Sequence, residues 1–122
     1  MQAELKQLTS LDIDPKTYWP DVEDSFSFTL DAHIGPKGEA TSELFQFHVC
    51  TPKWAVSNMV NKTFGDFGFF GIYMILVEEY DFERIQTKIS QLCSEINGES
   101  WSDVAIQLSR YAMWEYANYQ QT

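Results

Sequence analysis

The stretch Phe26-Ser27-Phe28-Thr29-Leu30-Asp31-Ala32-His33-Ile34-Gly35-Pro36-Lys37-Gly38 decides the fold, together with its answer at Leu44-Phe45-Gln46-Phe47-His48-Val49-Cys50. Phe26, Phe28, Leu30 and Ala32 alternate with Ser27, Thr29, Asp31 and His33, and Phe45, Phe47 and Val49 alternate with Leu44, Gln46 and His48. A period of two is what a strand with one buried face requires. Folding the runs back around the Gly-Pro-Lys-Gly segment sets Phe28 opposite Val49, Leu30 opposite Phe47 and Ala32 opposite Phe45. A slip of one residue would oppose each Phe with a polar side chain, so the pattern selects this register.

Upstream of the hairpin, residues 2–10 read as a first strand, although Leu5, Leu8 and Leu11 recur every three residues and suit a helix equally well. Residues 12–24 form an acidic, proline-containing connection. Downstream, Gly65-Asp66-Phe67-Gly68 reads as a turn, and the almost wholly apolar residues 69–77 as an interior strand covered on both faces, with Gly71 a bulge or close backbone contact. Asp81 caps a helix in which Phe82, Ile85, Ile89, Leu92 and Ile96 recur at three- and four-residue steps, ending at Asn97-Gly98. Ser100 and Asp103 open a second helix, with Trp101, Val104, Ala105, Leu108 and either Tyr111 or Ala112 along its apolar stripe. These elements predict an α+β fold: an antiparallel sheet of about four strands with two C-terminal helices packed on one face.

A chain of 122 residues makes one domain spanning 1–122, large enough to remove roughly 65% of its unfolded surface from water. Apolar residues form 44% of it and aromatics 16%, a composition that builds a packed core. The start, Met1-Gln2-Ala3-Glu4-Leu5-Lys6, has no basic segment followed by an apolar run, and nowhere is there an apolar run of about 18 residues. The cytoplasm is therefore the expected compartment, with no membrane partner. Cys50 and Cys93 lie too far apart in sequence for a zinc or redox motif and read as structural. The formal charge of −10 disfavours nucleic acid as a partner and favours a basic protein.

Catalytic signals are weak. His33 and His48 fall on the polar face of the hairpin, but His48 lies opposite Thr29, four positions from His33, or about 13 Å at the usual strand rise. That is too far to share a metal. Asp31 could orient one of these histidines, yet no nucleophile sits in a recognisable elbow. The Gly65, Gly68 and Gly71 spacing precedes a strand and lacks the lysine and hydroxyl of a phosphate loop. Glu78 and Glu79 point opposite ways if they extend a strand. No metal, cofactor or catalytic residue is expected.

Three short signatures remain: Ile34-Gly35-Pro36-Lys37-Gly38 at the hairpin tip, Cys50-Thr51-Pro52-Lys53-Trp54 at its exit, and Arg110-Tyr111-Ala112-Met113-Trp114-Glu115-Tyr116 near the end. With Trp101 and the Phe26 strand, their order and spacing resemble immunity protein family 8, the bacterial immunity proteins of polymorphic toxin systems of the contact-dependent inhibition type. The resemblance covers about three quarters of the chain. It implies a non-enzymatic protein, encoded beside a toxin and blocking it by stoichiometric binding. Such toxins are often nucleases or otherwise cationic, which an acidic inhibitor complements. On this footing the toxin-binding candidates are Asp12, Asp14, Asp21, Glu23, Asp24, Glu78, Glu79, Glu83, Glu115 and Tyr119. Glu78, Glu79 and Glu83 also flank a helix N-terminus, where acidic residues suit the helix dipole. The C-terminal stretch from Trp114 to Tyr119 departs from the family's pattern near Ala117, where relatives tend to carry a further acidic residue.

Structural roles account for the other motif residues. Gly35 and Gly38 suit a turn needing positive φ, Pro52 stops the strand after Thr51, and Trp54 covers the core end; Pro36, Trp101, Arg110 and Trp114 complete the set. The aromatics of residues 114–119 either dock as the last core segment or face a partner. Two other readings compete with immunity: a small acidic adaptor or regulatory module, and a hydrolase using Asp31, His33 and His48. An unpaired edge of the hairpin leaves a route to a homo-oligomer, although nothing in the sequence demands one.

Overall fold

The computed structural model describes residues 1–60 and 71–117. The chain order is β1 (Ala3–Thr9), β2 (Ser27–Pro36), β3 (Glu43–Cys50), α1 (Pro52–Val60), β4 (Met74–Leu76), α2 (Phe82–Ser94), α3 (Trp101–Leu108) and β5 (Met113–Trp114). The expected α+β architecture holds, as a mixed five-stranded sheet in the order β1-β2-β3-β4, with β5 also pairing with β3.

The β2–β3 hairpin takes the register that its alternation selects. Phe28 pairs with Val49, Leu30 with Phe47, Ala32 with Phe45 and Thr29 with His48. Its inner face joins Ile85, Ile89 and Cys93 of α2 and Val104, Ala105 and Leu108 of α3 in one core. Both hairpin strands are flanked, β2 by β1 and β3 by β4 and β5. At the tip, the two glycines serve different needs. Gly38 has φ +84°, whereas a Cβ on Gly35 would lie 1.8 Å from the Thr41 carbonyl oxygen, so Gly35 is required by close approach and not by positive φ.

Residues 3–9 form a strand, and the three-residue leucine spacing has a physical cause. The β1–β2 register shifts between Leu5 and Gln7, a bulge at Lys6. The extra residue flips the parity, so Ala3, Leu5 and Leu8 all face the core despite steps of two and then three.

Two expectations about the chain after β3 fail. Pro52 does more than stop β3: Thr51 is buried and its hydroxyl accepts from the Trp54 backbone N–H at 3.2 Å, while Pro52 takes the first helical position and starts α1. β4, beyond that helix in sequence, pairs parallel to β3, which makes the sheet mixed. The expected interior strand is reduced to Met74–Leu76, because Tyr73 takes φ 59° and interrupts extended backbone just before it. Among the described residues β4 lies at the sheet edge with Leu76 59% exposed, not as a strand covered on both faces, and Gly71 lies outside it. Residues 61–70, with the expected Gly65–Gly68 turn and the start of that strand, are outside the described residues.

The helix caps follow the sequence. The Asp81 side chain accepts from the Arg84 backbone N–H, and that of Ser100 from Asp103 N–H. α2 ends at Ser94, earlier than Asn97-Gly98, and Ile96 beyond it is still buried. Ala112, not Tyr111, completes the stripe after α3. No helix among the described residues is long and apolar enough to cross a membrane.

Candidate functional site

The acidic connection between β1 and β2 is pinned at several points. Ser10 Oγ donates to the Thr29 carbonyl at 2.6 Å and accepts from Asp12 N–H at 3.0 Å, and Asp12 Oδ2 accepts from Thr29 N–H at 2.8 Å. Asp14 closes a turn by accepting from Lys16 N–H through its side chain and from Tyr18 N–H through its carbonyl. Tyr18 then inserts edge-on beside Phe28 and Tyr80, with ring centroids 5.3 and 4.9 Å away. The Tyr80 hydroxyl donates to the Pro15 carbonyl, 65 positions back in sequence.

This aromatic staple places residues 12–24 against residues 78–81. Between them lies a cleft of about 150 Å³ lined by Tyr18, Trp19, Pro20, Glu23, Glu79 and Tyr80. Burial pushes the Tyr80 phenol up to about 12, with the Asp14 charge adding to it. Burial and then the Asp21 charge raise Tyr18. Both phenols therefore stay protonated at neutral pH, which keeps the Tyr80 donor in place.

Of the acidic residues singled out from sequence, Glu23 and Glu79 line this one cleft, and Asp14 and Asp21 act on it only through their charge, on Tyr80 and Tyr18. Asp12 is turned toward β2, and Asp24 pairs with Lys53 at 3.4 Å. Glu78 lies one residue from Glu79, and Glu83 sits in the first turn of α2. Glu115 is elsewhere: it clamps β5 to β3, its Oε2 accepting from Leu44 N–H at 2.6 Å and its N–H donating to the Leu44 carbonyl. Tyr119 lies outside the described residues. Trp19 is 87% exposed, and its only signal in the sequence is the Tyr18-Trp19-Pro20 run inside an acidic loop.

The other motif residues have structural positions. Trp101 and Trp114 donate their indole N–H groups to one oxygen of Glu43 at 2.6 and 3.0 Å, and Trp114 stacks on Phe45. The last described segment thus docks through Trp114, while Tyr116 stays 43% exposed. Pro36 ends β2 and accepts from Lys6, and Arg110 is exposed after α3. Trp54 does not cover the core end. It packs edge-on against His48 on the sheet's polar face, centroids 5.2 Å apart, and burial there lowers the His48 pKa.

Asp31, His33 and His48 are engaged separately: His33 with Thr9 at 2.8 Å, Asp31 with Gln46 at 3.2 Å, and His48 with Trp54. Burial raises Cys50 and pushes Cys93 up to about 11, opposite to what an activated thiol needs.

The family model described as Immunity protein 8 matches residues 3–119. The chain belongs to the Immunity protein 8 family. Neither a curated protein nor a solved structure matches it. For an Immunity protein 8 member the natural ligand is a cognate toxin, and the family is generally non-enzymatic. The match spans the acidic loop, the hairpin and the Trp101–Trp114 region alike.

Proposed function

We propose that this chain neutralises a cationic toxin domain, such as a nuclease presents, by one-to-one binding in the cytoplasm that covers the toxin's active site, without catalysis. The observation that carries the reading is the convergence of two acidic segments, distant in sequence, on one aromatic cleft in a chain of charge −10. Carboxylates on the proposed face raise the encounter rate with a basic partner, and aromatic anchors slow its escape. Asp12, Asp14, Asp21, Glu23, Asp24, Glu78, Glu79 and Glu83 are its charged surface, and Glu115, held against Leu44, belongs to a separate end.

The test is to co-express the chain with the product of the adjacent upstream reading frame and determine the mass of the purified complex. A 1:1 complex in which toxin activity is lost is the expected result. A toxin that stays active and separate from the chain contradicts the proposal.

A further inference from the structure

We propose that the cleft between Trp19 and Tyr80 is a receptacle for an arginine side chain of the toxin, with the Trp19 indole closing over it; this rests on the immunity reading above. Trp19 makes no hydrogen bond or ring contact with any described residue, and Leu11 and Val22 on the same loop are 97% and 51% exposed. Trp19, Leu11 and Val22 thus leave apolar side chains of this one acidic loop open to water. The loop around the indole is nevertheless held. Trp19 stands between half-buried Tyr18, locked among Phe26, Phe28 and Tyr80, and buried Pro20. Such an anchor loses little conformational entropy on binding.

Size and chemistry identify the occupant. At about 150 Å³ the cleft is well below the ~300 Å³ at which sites for cofactor-sized ligands begin, so it fits the end of a side chain. Its lining combines the aromatic residues Tyr18, Trp19 and Tyr80 with Pro20 and the two carboxylates Glu23 and Glu79. A guanidinium is planar, weakly hydrated and able to stack on rings while its N–H fork meets a carboxylate; an ammonium does the second only as a point charge. The chain's own Arg84 already approaches Glu79, but at 3.7 Å with both side chains exposed, a pair loose enough to give way.

The experiment titrates the full ¹⁵N-labelled chain with a blocked Gly-Arg-Gly peptide. The readout is the Trp19 indole N–H resonance, assigned through Trp19→Phe. The expected result is a saturable shift of that resonance alone among the indoles. Glu23→Gln with Glu79→Gln should weaken binding about tenfold, and the citrulline and lysine peptides should be weaker by a similar factor. No Trp19 shift, an equal response to citrulline or lysine, or indifference to the paired Gln variant would overturn the arginine receptacle. In parallel, Trp19→Ala should weaken binding of the upstream-encoded toxin about 30-fold or more. If wild type neutralises that toxin and Trp19→Ala does so equally well, the receptacle fails while the immunity reading stands. If wild type does not bind the toxin, the immunity reading fails on its own account.

Discussion

Trp114 and Trp19 sit in two aromatic groupings of similar composition and opposite finish. Around Trp114, the Phe45 ring stacks at 6.3 Å, Trp101 meets Phe45 edge-on, and both indole N–H groups end on Glu43. Around Trp19, the rings of Tyr18 and Tyr80 are equally well packed and Tyr80 has its acceptor, yet the indole itself stands in water. One grouping is complete within the chain. The other is complete only up to its last ring, and carboxylates surround the gap. The proposed arginine receptacle takes up this difference: the indole that the chain leaves bare is the one assigned to the partner.

The comparison breaks most sharply on core removal. Phe45→Ala should cost about 3–5 kcal/mol in urea unfolding, since Phe45 is fully buried, whereas Trp19→Ala should stay within about 0.5 kcal/mol. A large loss in Trp19→Ala would show that Trp19 belongs to the fold and end the contrast. A smaller effect sharpens it: Glu43→Ala leaves two half-buried indole donors without their acceptor and should lose about 1–3 kcal/mol, with Glu43→Gln, which keeps an acceptor, losing less.

The smallest effect is on pH dependence. Burial against Trp54 lowers the His48 pKa below its ordinary 6.5, with the Asp12 charge opposing. The unfolded chain therefore binds the proton more readily than the folded one. The stability associated with neutral His48 is complete above about pH 6.5 and is lost as pH falls toward the folded value. Urea midpoints measured from pH 7.5 to 5 should decline, and His48→Gln should flatten that part of the decline. An unchanged profile in His48→Gln would remove the assignment.

The hairpin and both C-terminal helices were legible because their signals are local: strict alternation over Phe26–Ala32 and Phe45–Val49, and Asp81 and Ser100 placed three residues before the N–H each one accepts. Helix α1 was hidden because Thr51-Pro52 serves equally as a strand stop and a helix start. The apolar run ending at Val77 looked like an interior strand because composition carries no sign of the positive φ at Tyr73. The acidic segments could each be named from sequence, but their meeting depends on the Tyr80–Pro15 hydrogen bond and the Tyr18 ring, contacts that no local pattern encodes.

The most direct test of the acidic face is the association rate of the chain with the product of the upstream reading frame, followed by stopped-flow at about 20 and 200 mM NaCl. The rate should fall about tenfold or more across that range and should fall at low salt in the Glu23→Gln, Glu79→Gln variant. A rate indifferent both to salt and to those two substitutions would contradict the account.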